Sequence, residues 1–68
     1  MLSNIEIGKR LKDLRMQKGI TIEELSAETG ISISSLNKYE IGNRRPRDEN
    51  KAILAKYYKQ SEASIFCA

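Results

Sequence analysis

Apolar residues recur along this chain in short helical periods broken by glycine. Ile7, Leu11 and Leu14 stand at i, i+4 and i+7, the spacing of one helix face. Ser3 and Glu6 precede them at capping-box spacing. The pattern predicts a first helix over about residues 4–17, with Lys18 suited to its C-terminal end and Gly19 ending it. Thr21 and Glu24 repeat the capping box and open a short helix over 22–29, which Gly30 ends. Ile31 is a lone apolar residue in a tight turn and is expected to plug the core. Ser32 is suited to cap a third helix running to about residue 41, before Gly42. Residues 43–47 cannot continue it, because Pro46 lacks an N–H and restricts Arg45. Asp48 is expected to cap a fourth helix through Tyr58, with Ile53, Leu54, Tyr57 and Tyr58 as its apolar stripe. Ser61 is placed to cap a last turn that carries Ile65 and Phe66. The expected fold is all-α, a compact bundle of about five short helices, and the 68 residues are expected to form one domain.

The second and third helices are joined by Gly30-Ile31-Ser32, a short turn with a glycine, which is the helix-turn-helix pattern. The third helix divides by face. Leu36, Tyr39 and Glu40 fall on one side and should face inward with Leu14, Leu25 and Ile31. Ile33, Ser34, Asn37 and Lys38 fall on the other. An amide, an ammonium, a hydroxyl and a branched alkyl group are what base edges and thymine methyls are read with in the major groove. The lesser alternative is a solvated surface face, since any surface helix has one.

Charge gives this picture a direction. The net charge is only +3, so its distribution matters more than its size. Lys38, Arg44, Arg45, Arg47 and Lys51 lie within fourteen positions, and Lys9, Arg10, Lys12, Arg15 and Lys18 form a second cluster. There is no histidine, and the one cysteine, Cys67, reads as a tail thiol. Histidine-based catalysis and the usual zinc sites are therefore excluded, and no base and nucleophile pair can be named for an enzyme. No metal or cofactor is implied. The longest apolar runs, such as residues 52–55, are far below the ~20 needed to span a bilayer, and residues 1–6 lack the regions of a signal peptide. The expected location is cytoplasmic, with no membrane partner.

Several motif pieces sit at matching offsets: Gly19-Ile20-Thr21, Glu24-Leu25, Gly30-Ile31-Ser32, Ser35-Leu36, Tyr39-Glu40-x-Gly42 and Arg45-Pro46. Over about residues 5–58 the chain resembles the phage repressor and Cro family of helix-turn-helix DNA-binding proteins. The resemblance implies a lambda-repressor-like five-helix fold and a sequence-specific transcriptional regulator, of repressor type, that binds operator DNA as a homodimer. It makes 22–29 the positioning helix and 32–41 the recognition helix. It implies base reading by Ile33, Ser34 and Lys38, joined by Asn37 on the same face. It implies phosphate contacts from Arg44, Arg45 and Arg47, with Thr21 and Ser32 added at the two helix starts. It pairs Glu40 with Arg15 as a structural ion pair. The chain departs from the family pattern at Ile22, where glutamine is usual, at Ser26, where alanine is usual, and at residues 59–62, where Gly, apolar, Ser, apolar is expected. The dimer face is expected at the Pro46 loop and the C-terminal turn, with Tyr58, Ile65 and Phe66 leaving apolar surface. The alternative is that Ile65 and Phe66 close the core over Leu11 and Ile53. A second class of function is a protein-interaction module on this fold, such as an antirepressor or antitoxin; the arginine loop argues against a module with no DNA contact.

Overall fold

A computed structural model describes residues 2–67. It contains α1 (Asn4–Lys18), α2 (Ile22–Thr29), α3 (Ile33–Glu40), α4 (Asp48–Tyr58) and α5 (Glu62–Phe66). Among the described residues there is no strand. Both capping boxes form, Ser3 with Glu6 and Thr21 with Glu24. Ser32 and Ser61 cap α3 and α5 by accepting the N–H three residues on. The start of α4 differs from expectation. Arg47 is its N-cap, with no side-chain cap hydrogen bond, and Asp48 is already inside the first turn. There Asp48 and Glu49 oppose the positive end of the helix dipole, so their charge rather than a capping bond favours the start.

The core is built from Leu2, Ile7, Leu11, Leu25, Ile31, Leu36, Tyr39, Leu54, Ala55, Tyr58, Ile65 and Phe66. Leu14 packs against it only partly buried. Ile31 fills the expected place under the turn. On α4 the buried face is Leu54, Ala55 and Tyr58, and Ile53 is turned to solvent. Four apolar residues at 53, 54, 57 and 58 span too wide an arc for all to face inward, and the buried arc takes in Ala55 instead of Ile53.

The C-terminal turn corrects the expected dimer face. Tyr58, Ile65 and Phe66 are 8%, 1% and 2% exposed, and Pro46 is buried. A chain this short buries little surface, so its few large apolar side chains go to its own core first. Arg10 fastens this turn by donating to the carbonyls of Ser64 (2.7 Å) and Cys67 (3.4 Å).

Two glycines set how α1 meets α3. At Gly8 a Cβ would stand 2.5 Å from the Glu40 carbonyl oxygen and 2.6 Å from that of Tyr39. The backbone of α1 therefore lies directly on the last turn of α3. Gly42 follows α3 with φ +81°, and a Cβ there would stand 2.8 Å from Ile5. A left-handed turn in so little space favours glycine twice over.

Candidate nucleic-acid interface

The turn between α2 and α3 is held by hydroxyls. Ser26 donates to the Ile31 carbonyl at 2.6 Å, and Thr29 accepts from the Ile31 N–H at 3.3 Å while donating to the Leu25 carbonyl at 2.7 Å. Both backbone groups of the buried Ile31 are thus paired, which a buried turn requires. Ser26, a departure from the family pattern, has a local reason: alanine could not hold that carbonyl.

Behind α3, Arg15 makes a two-pronged pair with Glu40, Nε to Oε2 at 2.8 Å and Nη2 to Oε1 at 3.0 Å. Its Nη1 donates to the Ile20 carbonyl at 2.9 Å. One guanidinium therefore joins α1, the α1–α2 loop and α3. The side chains are 13% and 8% exposed, and the hydrogen bond to Glu40 raises the Arg15 pKa against the opposing effect of burial. Arg15 and Glu40, the pair the resemblance named, thus lie within hydrogen-bond distance of each other.

On the outer side of α3, Ile33, Ser34, Asn37 and Lys38 are all exposed, Ile33 at 41%. They form one continuous polar face with a single branched alkyl group. The Thr21 hydroxyl accepts from the Glu24 N–H at 3.1 Å and keeps its own hydrogen for another acceptor. Ser32 accepts from the Ser35 N–H and shares a 2.9 Å hydrogen bond with the Ser35 hydroxyl.

Beside this face the loop after α3 forms a polar cleft of about 260 Å³, lined by Ser35, Tyr39, Arg44, Arg45, Arg47 and Asn50. Asn50 donates to the Tyr39 hydroxyl at 2.8 Å across its wall. Three arginines with a serine, a tyrosine and an amide make a place for an anion, since every arginine N–H donates and none accepts. The three arginines differ. Arg44 and Arg47 are exposed, and their side chains make no hydrogen bond to the described residues. Arg45 is half-buried, with its Nε on Asn4 Oδ1 at 3.0 Å and its Nη2 on the Leu2 carbonyl.

Ser35, Tyr39 and Asn50 escaped the sequence reading. Tyr39 reads as a core residue, and its ring is; only its hydroxyl reaches the cleft. Asn50 lies in the first turn of α4, three residues after the N-cap Arg47, and no signal in the sequence marked it. The other cations lie elsewhere. Arg10 holds the C-terminal turn, Lys18 lies 4.9 Å over the Tyr57 ring and Lys51 lies 5.8 Å over that of Phe66. Among the described residues no three His, Cys, Asp or Glu side chains gather as a metal site. No helix is long and apolar enough to cross a membrane.

A helix-turn-helix family model matches residues 11–65, most of the chain and all of the α2–turn–α3 unit. The chain belongs to the helix-turn-helix family, of the Cro/C1 type. Over 32 residues it is 53% identical to the SPbeta prophage-derived uncharacterized HTH-type transcriptional regulator YopO of Bacillus subtilis (strain 168), a stretch covering 47% of this chain and 46% of that protein. The aligned stretch is thus less than half of either protein. The family match takes in the exposed face of α3 and the arginine cleft, while Leu2 and Asn4 lie ahead of it.

Proposed function

We propose that this chain is a sequence-specific DNA-binding transcriptional regulator of repressor type that places residues 32–41 in the major groove of its operator. The observation that carries this is the exposed quartet Ile33, Ser34, Asn37 and Lys38 beside a cleft lined by three arginines. In the groove, Lys38 suits guanine, Asn37 suits adenine, Ile33 suits a thymine methyl and Ser34 accommodates either partner type. Thr21, Ser32, Arg44, Arg45 and Arg47 hold phosphates on either side and fix the register of the helix. The likeness to a prophage-derived transcriptional regulator supports a phage or mobile-element context, working in the cytoplasm.

The unit on DNA is a homodimer. One module buries only roughly 600–1,000 Å² on DNA, too little for high specificity by itself. Two copies about a two-fold axis place their recognition helices ~34 Å apart, so the operator is an inverted repeat. With Tyr58, Ile65 and Phe66 buried, the free protein is a monomer and the dimer forms on DNA.

Selection from a randomised duplex pool tests this reading, and an inverted repeat is the expected product. On the selected site, Lys38→Ala flattens preference at one base position. Arg47→Ala weakens all sequences about equally and lowers the salt slope by about one. A pool with no enrichment would sink the reading. So would an Arg47→Ala change that shifts base preference while Lys38→Ala leaves it intact.

A further inference from the structure

The three arginines of the cleft are not equivalent, and the difference lies at the other end of the chain. The Arg45 guanidinium reaches back 41 and 43 residues, to the Asn4 side chain and the Leu2 carbonyl. We infer that residues 2–4 are a working part of the DNA site: they grip one edge of Arg45 so that its other edge is preset for a backbone phosphate in the cleft. The inference rests on the DNA-binding reading above.

A guanidinium carries five N–H groups in a fixed plane. The edge made by Nε and Nη2 is engaged by Asn4 and Leu2. Nη1 and the second hydrogen of Nη2 remain, and they form the adjacent terminal edge, which matches two phosphate oxygens. Arg45 also lines the cleft, together with the hydrogen-bonded Tyr39 and Asn50. Arg44 and Arg47 reach DNA as mobile side chains that must be ordered on binding. Arg45 is ordered beforehand, and ordering in advance removes that cost from the binding step.

The grip is itself anchored. The Leu2 side chain is buried in the core, Ser3 caps α1 through Glu6, and Asn4 is the first residue of α1. Three successive residues are each fixed by a separate interaction, so the segment can hold Arg45 against the pull of a phosphate. Asn4 is thus a positioning residue. It acts through Arg45 and touches no DNA.

Nitrogen-15 NMR of the free protein and binding to a mixed-sequence duplex of about 30 base pairs at low salt test this together. In the wild type, the Nε–H signals of Arg15 and Arg45 are sharp and protected, and those of Arg44 and Arg47 are not. In Asn4→Ala the Arg45 signal is lost while that of Arg15 persists, which also reports an intact fold. Asn4→Ala weakens binding about 3- to 10-fold with the salt slope unchanged, because no charge is removed. Arg45→Lys keeps the charge yet binds at least as weakly, because an ammonium cannot present two edges. Adding Asn4→Ala to Arg45→Lys then costs less than twofold more. Wild-type binding by Asn4→Ala or by Arg45→Lys would overturn the inference, as would losses that multiply in the double variant. If the wild type itself binds no duplex, the DNA reading falls and this inference with it.

Discussion

The crossing of α1 on α3 and the corner made by α4 and α5 close the same core by different means. At the crossing, Gly8 lets backbone touch backbone, and Arg15, Glu40 and the Ile20 carbonyl form a closed set of hydrogen bonds. At the corner, large side chains such as Phe66 and Ile65 are simply buried, the buried Tyr58 hydroxyl has no partner among the described residues, and a lysine ends α4 in a left-handed conformation. The crossing fixes the position of α3, which carries the exposed quartet. The corner only has to exclude water. Directional bonds are thus partly buried between the helices at the crossing, whereas at the corner those of Arg10 and Ser61 lie at the surface and the interior is held by bulk burial.

The largest test of the contrast is Glu40→Ala. It strands the Arg15 guanidinium at 13% exposure with only the Ile20 carbonyl. Losing one partner of a buried pair costs about 3 kcal/mol. For a domain of this size that lowers Tm by more than about 10 °C. A melting temperature within a degree or two of wild type would remove the pair from the account of the crossing.

Gly8→Ala comes next and sets two effects against each other. Helix propensity alone favours alanine by about 1 kcal/mol. The new methyl carbon would lie 2.5 Å from the Glu40 carbonyl oxygen, so the two helices must separate. Overpacking of this kind costs roughly 1–3 kcal/mol. The expected net result is a loss of about 1 kcal/mol in urea unfolding, with weaker DNA binding as α3 shifts. A stabilised variant would mean that the crossing is as forgiving as the corner.

Lys59→Gly tests the corner with the opposite sign. Lys59 has φ 56° at the C-terminal end of α4. A left-handed conformation costs a side-chain-bearing residue roughly 1–2 kcal/mol, and glycine gives part of this back as greater freedom in the unfolded chain. A gain of about 0.5–1 kcal/mol is expected, with DNA binding unaltered. A loss in thermal melts would show that the lysine side chain contributes more than its backbone conformation costs. The family pattern has glycine at this place, and α5 forms without it because Ser61 caps the turn and Ile65 and Phe66 are buried.

What could be read in the sequence follows the same division. Capping boxes are pairs three residues apart, and both formed where Ser3, Glu6, Thr21 and Glu24 predicted them. The inward and outward faces of α3 were legible because eight residues with a clean period leave one solution. The Arg15 and Glu40 pair spans 25 residues and was reachable only through resemblance to a family. Gly8 was invisible, since a glycine inside a helix reads as a weakness until its neighbour is known. The grip on Arg45 was hidden for the same reason, its partners lying 41 and 43 residues away. Whether Ile65 and Phe66 leave a dimer surface or close the core stays open in the sequence, because periodicity does not say how much core a short chain can fill; the structure buries both. The expectation for Ile53 failed because the buried arc of α4 runs through Leu54, Ala55 and Tyr58 and leaves Ile53 at its edge.

The smallest effect, and the sharpest probe of the corner, is Tyr58→Phe. A buried hydroxyl without a partner costs the fold its desolvation, so phenylalanine of the same shape should leave stability unchanged or raise it by up to about 1 kcal/mol. The pH dependence gives an independent check. Burial, with the Glu40 charge added, raises the Tyr58 pKa above its ordinary value of 10.0. In the unfolded chain the phenol loses its proton near pH 10, while in the fold it keeps it. The stability tied to the neutral phenol is therefore complete below about pH 10 and declines as pH rises above it, because the unfolded state then binds fewer protons. Tyr57 is shifted the same way and contributes its own decline in both proteins. The wild type should thus lose stability more steeply than Tyr58→Phe between about pH 10 and pH 12, as urea unfolding at stepped pH would show. Parallel curves would mean that the phenol is not held in its neutral form by burial, and a destabilised variant at neutral pH would mean that the hydroxyl is hydrogen-bonded in solution and that the corner is as closely specified as the crossing.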